Sequence, residues 1–295
     1  MAYIKDKGGC SRIMQTYLVR KFKDKFAYAV CLACVIVAVI PLGSILFEVT
    51  KNGLPALNME FFIEGPRAIG EPGGGIANSI QGTLILIGLT SLIGVPIGIL
   101  SGIYLAEFGN NKFGKIVRLT NNILAQFPSI VIGIFAYLTI VLLIGSFSPL
   151  AGAIALAIIM IPIITRTTEE SLKLVPNTLR EASMALGIRR WRTIMSIVLV
   201  SAKNGVVTGI MLSISRIAGE TAPLIMTILG SQWFFSGLTE PMDALTLRIW
   251  RLALLPYDYA HTTGWGAALV LIIIVLSLNI LARILTRSKF VLRGV

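Results

Sequence analysis

Charge is scarce in this sequence: 14% of its 295 residues are Asp, Glu, Lys or Arg, where soluble domains carry about a quarter. With 55% of positions hydrophobic, water is excluded as the main solvent of the fold. A polar block long enough for a separate catalytic domain is also lacking, so one membrane domain is the expected organisation. Cysteine is too sparse for a metal or redox framework. Of the three present, Cys31 and Cys34 form a CxxC inside an apolar run, without a second ligand pair or a neighbouring His, and read as small apolar side chains of a membrane helix. A cleavable leader is not expected, because the first apolar run begins near Phe26 and is long enough to stay in the bilayer.

What is present is a series of apolar stretches of roughly 20 residues, the length at which a 1.5 Å rise per residue spans a hydrocarbon core of about 30 Å. They predict an all-α integral membrane fold with about six transmembrane helices, near 26–47, 76–106, 121–147, 149–168, 204–229 and 264–286. The net charge of +12 signals topology and not nucleic acid, because the basic residues sit between apolar spans instead of forming a stripe on one surface. Seven Lys and Arg precede the first span, three lie in 107–120, seven in 166–203 and four after 282, against four in the two opposite loops. Twenty-one against four places both termini in the cytoplasm. The remaining basic residue, Arg216, falls about midway along the fifth predicted span.

Pro96, Pro128, Pro162 and Pro223 each fall in a predicted span, where proline frees the carbonyl four residues earlier and bends the helix. Lipid cannot satisfy a freed carbonyl, so these bends are expected to face a cavity or another helix; plain packing kinks are the other reading. The segment Gly109-Asn110-Asn111-Lys112-Phe113-Gly114-Lys115-Ile116 nearly spells a phosphate-binding loop. It lacks the final Ser or Thr for magnesium and follows a membrane helix instead of a β-strand, so ATP binding is not expected there.

Between Thr168 and Val200 the chain is too polar to span and too well patterned to be slack. Thr178 and Glu181 fit a capping box that would start a helix. Leu179, Ala182 and Leu186 then share one face, and Gly187 supplies a left-handed stop. Arg189, Arg190 and Arg192 with Trp191 open a second helix. The expected element is a short amphipathic helical hairpin on the cytoplasmic face, either a docking piece or an interfacial helix lying on anionic lipid.

The run Glu181-Ala182-Ser183, followed after three residues by Gly187 and after nine more by Ile197-Val198-Leu199, resembles the EAA loop of ABC-importer permeases. In that family the loop is the coupling helix that docks in a groove of the cytoplasmic ATPase. Ser183 replaces the usual second Ala and Val200 the usual Pro. Further segments are Gly73-Gly74-Gly75-Ile76, Ile80-Gln81-Gly82-Thr83-Leu84, Pro128-Ser129-Ile130-Val131, Arg166-Thr167-Thr168-Glu169-Glu170, Gly219-Glu220-Thr221-Ala222-Pro223-Leu224 and Pro241-Met242-Asp243-Ala244-Leu245. Together they are similar to PstA-type permeases of high-affinity phosphate importers, from about Gly73 to the last span.

The resemblance implies a type I ABC-importer permease (MetI-like) architecture with a basic cytoplasmic tail (1–25), a first transmembrane helix and extracytoplasmic loop (26–72) and a permease core (73–295) containing the coupling loop 169–200. It implies no enzyme activity and no cofactor in this chain, with ATP and Mg on a PstB-like cytoplasmic ATPase dimer. A second homologous, PstC-like permease and a PstS-like extracytoplasmic phosphate-binding protein complete the implied assembly. A permease for another oxyanion, sulfate or molybdate, and a self-driven secondary transporter are the alternatives.

An unpaired charge inside a bilayer costs about 2.5–3.5 kcal/mol on insertion scales, so Arg216 needs a partner. Glu220 is one turn on and on the same face, which gives two readings: a neutralising helix-internal pair, or a guanidinium fork presented to a passing oxyanion with Glu220 holding it between cycles. Arg166 reads alone as an ordinary positive-inside residue; the resemblance associates it, with Arg216, Glu220 and Thr221, with the translocation path. Asn78, Ser79, Gln81 and Thr83 add neutral hydrogen-bonding groups in the second span, for the path or as interhelical glue. Glu181, Ala182, Ser183 and Gly187 are the implied ATPase-coupling residues.

Overall fold

The computed structural model describes residues 7–68, 71 and 73–286. The start of the basic tail (1–6) and Arg287, Lys289 and Arg293 of the C-terminal basic group lie outside the described residues. The chain divides into two compact units, Met1–Lys51 and Asn52–Val295. Among the described residues there is no strand, only two isolated β-bridges, Pro66 with Gly74 and Leu229 with Met242.

The first predicted span lies within α1 (Lys7–Gly53), a single helix that also carries the described part of the basic tail. From Arg20 to Glu48 its side chains are exposed, and Cys31 and Cys34 are free thiols on it. After a single 3₁₀ turn, Asn58 caps α2 (Met59–Ile63) by accepting from the Phe61 N–H at 2.7 Å. The second crossing is α3 (Ala77–Glu107). The segment that nearly spells a phosphate loop is the start of α4 (Lys112–Gln126), where Asn111 accepts from the Gly114 N–H at 2.7 Å.

The third predicted span, 121–147, is not one helix. Pro128 sets the start of α5 (Ser129–Ala136), and the axis turns by 103° between Lys112–Gln126 and Ser129–Ile144. A π turn at Tyr137–Val141 and α6 (Leu142–Ile144) finish that crossing. Ser148 caps α7 (Pro149–Lys173), accepting from the Ala151 N–H at 3.2 Å. This helix runs two turns beyond Arg166, which therefore does not end it. The cytoplasmic hairpin is α8 (Asn177–Ala185) and α9 (Arg190–Thr193), and a π turn at Ile194–Val198 leads into α10 (Leu199–Ala218).

The fifth predicted span, 204–229, is corrected at both ends: the crossing covers Arg190–Ala218. The chain breaks at Gly219 and Glu220 and restarts as α11 (Ala222–Thr227), with Pro223 in the first turn, where its missing N–H costs nothing. Pro223 therefore does not free the Gly219 carbonyl inside a continuous helix, and Arg216 lies in the last turn of α10 instead of midway along a span. Pro96 and Pro162 are interior to helices as expected. The chain ends with α12 (Leu245–Ala253) and α13 (Asp258–Thr286). Among the described residues five helices are long and apolar enough to cross a membrane, six crossings if the bent pair counts as one.

The core of the second unit is the contact of α3 with α7. Gly94, Gly98 and Gly102 recur every four residues on α3, and Met160, Ile164 and Thr168 do so on α7. A Cβ on the three glycines would lie 2.9 Å from Met160 Sδ, 2.7 Å from Ile164 Cβ and 2.5 Å from Thr168 Cβ. The helices thus meet at a separation that only glycine permits, as expected where packing and not hydrophobicity joins helices in lipid. Gly205 and Gly209 of α10 face Ser171 and Thr167 on another side of α7 in the same way. Gly102→Ala should lower stability by about 1–3 kcal/mol through overpacking. Gly88→Ala is the control, since nothing lies within 4 Å of its added methyl. Thermal unfolding midpoints in detergent measure both, and equal midpoints would remove the close approach as the organising contact.

Candidate translocation and coupling site

The break after α10 puts Arg216 and Glu220 together. Arg216 Nε lies 3.5 Å from Glu220 Oε1, with the arginine side chain 52% exposed and the glutamate 15% exposed. Ile217 and Ala218, between them in sequence, turn into the core. The Glu220 carbonyl accepts from Thr246 Oγ1 at 3.2 Å, and Thr221 stands at the N-cap of α11, its carbonyl accepting from Leu224 and Ile225. The pair is therefore formed, but across the end of α10 and not within a helix, on a surface that leaves the guanidinium open on one side.

Arg166 forms the same kind of pair with Glu170, at 3.0 Å and with both side chains largely exposed. Its neighbour Thr167 packs on Gly209, seven residues before Arg216. The two arginines are thus offset along the bundle by about 10 Å. Beneath the Arg216 pair is a cavity of only about 10 Å³, lined by residues that include Thr83, Ile217 and Thr246. A larger cavity of about 280 Å³ between α12 and α13 is walled by Ile249, Trp265 and other mostly apolar residues. Neither suits a solvated oxyanion.

The polar residues that begin α3 hold the extracytoplasmic segment 231–245. Asn78 Nδ2 donates to the Ser231 carbonyl at 2.9 Å, and Gln81 Oε1 accepts from the Phe235 N–H at 3.2 Å. Thr83 Oγ1 donates to the Ser79 carbonyl at 2.8 Å and accepts from the Leu245 N–H at 2.9 Å, capping α12 from another helix. Ser79 Oγ donates to Asp243 Oδ2 at 2.7 Å, and Arg251 Nη2 to Asp243 Oδ1. Burial pushes the Asp243 carboxyl above the usual carboxylate range, against the pull of Arg251, and pushes the Arg248 guanidinium below its own.

At the cytoplasmic end, the capping box is corrected. α8 starts after Pro176, whose fixed φ of −56° directs the helix start, and no side chain caps it. Thr178 lies inside the first turn. The Gly187 stop forms as expected: φ is +76°, the Ile188 N–H donates to the Ser183 carbonyl at 3.3 Å and the Gly187 N–H to the Met184 carbonyl at 2.9 Å, a Schellman closure. Ser183 is buried and shares a 2.8 Å hydrogen bond with Thr193 across the hairpin. Glu181, Ala182, Leu179 and Leu186 remain exposed.

A family of binding-protein-dependent transport system inner membrane components matches residues 94–290. A phosphate transport system permease protein PstA of Yersinia pestis is 41% identical over 271 residues, 92% of each chain. A probable one of Methanocaldococcus jannaschii is 38% identical over 264 residues, 88% of this chain and 92% of that one. The chain belongs to the PstA-type family of transport permeases. The family is one of permeases and not of enzymes, and its members are multi-pass components of the cell membrane.

Among solved structures, a chain of a bacterial alginate ABC transporter aligns with a TM-score of 0.67 at 16% identity, covering 92% of this chain and 97% of that one. The inward-facing MetNI methionine transporter aligns at 0.57 and 20% identity, covering 71% and 95%. These establish the PstA-type chain as MetI-like in fold. Two clusters had no role assigned from sequence: Asp243 with Arg248 and Arg251, and Glu107 with Arg180. The first falls in a motif quoted above, but its arginines lie a turn or two away; the second joins residues 73 apart. Asp243→Asn should lower the unfolding midpoint of the purified PstA-type chain. The loss should be about 1–3 kcal/mol, below that of a fully buried pair because Arg251 can reach water. An unchanged midpoint would relieve Asp243 of that structural role.

Proposed function

We propose that the chain is a permease subunit of an ATP-driven phosphate importer. It forms half of the translocation pore, with a second homologous permease facing it, and receives phosphate from an extracytoplasmic binding protein. The observation that carries this reading is an exposed arginine, Arg216, held at a helix break by a glutamate in a chain similar to phosphate transport permeases over most of its length. ATP and Mg belong to a cytoplasmic ATPase dimer. That dimer docks on the exposed side of α8, through Glu181, Ala182 and the turn at Gly187, with Ser183 fixing the hairpin from within.

Arg216 supplies planar, permanently charged donors that match a phosphate bidentately, and Glu220 occupies them when no anion is present. Thr221 adds a hydroxyl beside the pair. Arg166 is a second cationic station about 10 Å towards the cytoplasm. Gln81 and Thr83 contribute by fixing the outer loop that frames the first station.

Radiolabelled phosphate uptake into proteoliposomes holding all subunits tests this. A hydrogen bond to a charged group contributes about 1.5–3 kcal/mol, so Arg216→Gln should reduce uptake roughly ten- to a hundredfold. Arg216→Lys, which keeps the charge but not the fork, should be intermediate. Recovery of the complex should be nearly normal, because the arginine is half exposed and its contact with Glu220 is long. Near-normal uptake by the Gln variant would remove Arg216 from the path, and inhibition by sulfate or molybdate as strong as by unlabelled phosphate would reassign the substrate.

A further inference from the structure

Glu107, the last residue of α3, holds both arms of the cytoplasmic hairpin. Its Oε1 accepts from Arg180 Nε at 3.0 Å and from Arg180 Nη2 at 2.8 Å, and its main-chain carbonyl accepts from Arg190 Nη2 at 2.7 Å. The Glu107 side chain is 6% exposed and that of Arg180 17%. Arg180 also donates from Nη1 to the Val175 carbonyl at 2.6 Å and to Asn177 Oδ1 at 3.3 Å, and from Nη2 to the Leu172 carbonyl at 2.9 Å. All five guanidinium donors are engaged. Two of their acceptors are carbonyls, that of Leu172 in the last turn of α7 and that of Val175 just beyond it.

α8 is otherwise joined to α7 only by Leu174, Val175 and Pro176. The tie of Arg180 to α3 and to the end of α7 sets how α8 sits on that short linker. From Glu107, α3 runs as one helix to Thr83, which caps α12 at Leu245. The next residue, Thr246, donates to the carbonyl of Glu220. A continuous physical connection therefore leads from the hairpin to the backbone beneath Arg216.

We propose that Arg180 and Glu107 are positioning residues for transport, the joint through which displacement of the hairpin reaches α3 and the Arg216–Glu220 break. This rests on the reading of the chain as an ATP-driven permease. A slack joint lets the ATPase turn over without moving the path, so hydrolysis and uptake part company. A merely structural role lowers both together.

The test is phosphate uptake per ATP hydrolysed by the complete complex in proteoliposomes, for Arg180→Met, Arg180→Lys and Glu107→Gln. The ratio should fall about tenfold in Arg180→Met, within the span of ordinary coupling free energies, and by less in the other two. Lys keeps charge with three donors in place of five, and Gln keeps an acceptor of the same shape. If Arg180→Met does not assemble, Glu107→Gln decides, and a ratio equal to wild type in the assembled variants overturns the joint. Absence of ATP-dependent phosphate uptake by the wild-type complex would instead overturn the functional reading beneath it.

Discussion

The contact on which the rest of the second unit depends is the meshing of Gly94, Gly98 and Gly102 with Met160, Ile164 and Thr168. In lipid there is little gain from hiding one apolar helix behind another, so adhesion comes from van der Waals contact at close range and from the absence of side chain between the backbones. Once α3 and α7 are fixed in register, both ends of the protein follow. Their cytoplasmic ends bring Glu107 and the Leu172 carbonyl to one place, which seats Arg180. At the other end, Asn78, Ser79, Gln81 and Thr83 become a row of hydrogen-bonding groups under the 231–245 segment. A slip of one turn along this interface would separate both sets from their partners.

Much of this was legible in the sequence because spans, sidedness and the hairpin depend on local composition. The second span is matched to within a residue at each end, and the fourth at its start. The Gly187 stop and the spacing of Arg216 to Glu220 are also local signals, and both formed. What failed was interruption. Hydropathy averages over a window, so the apolar residues on either side of Gly219 and Glu220 read as one span, although the chain stops at Ala218 and begins again before Pro223. Pro128 likewise separates two helices inside one apolar stretch. The capping box failed for a different reason: Pro176 fixes the backbone two residues before Thr178 and starts the helix without a side-chain cap. Nothing local marks Glu107 as the partner of Arg180, since the pairing exists only after α3 and α7 have met.

The ion pairs differ in which partner is held. Glu107 and Asp243 are almost wholly buried and take several donors each, so removing their arginines would strand a charge; these pairs fix geometry. Arg166 and Glu170 are both exposed, and such a pair contributes about 0–1 kcal/mol. Arg216 and Glu220 lie between these cases. The glutamate is mostly covered and anchored through its backbone to Thr246, while the arginine is half exposed and its Nε contact is long, at 3.5 Å. An asymmetric pair of this kind leaves the cation movable and the anion fixed. Under the proposed function, this freedom lets the guanidinium exchange one oxyanion for another without leaving the surface of α10. An arginine with its donors saturated, as Arg180 is, has no such freedom, and the two arginines are suited by their surroundings to opposite tasks, one to hold and one to hand on.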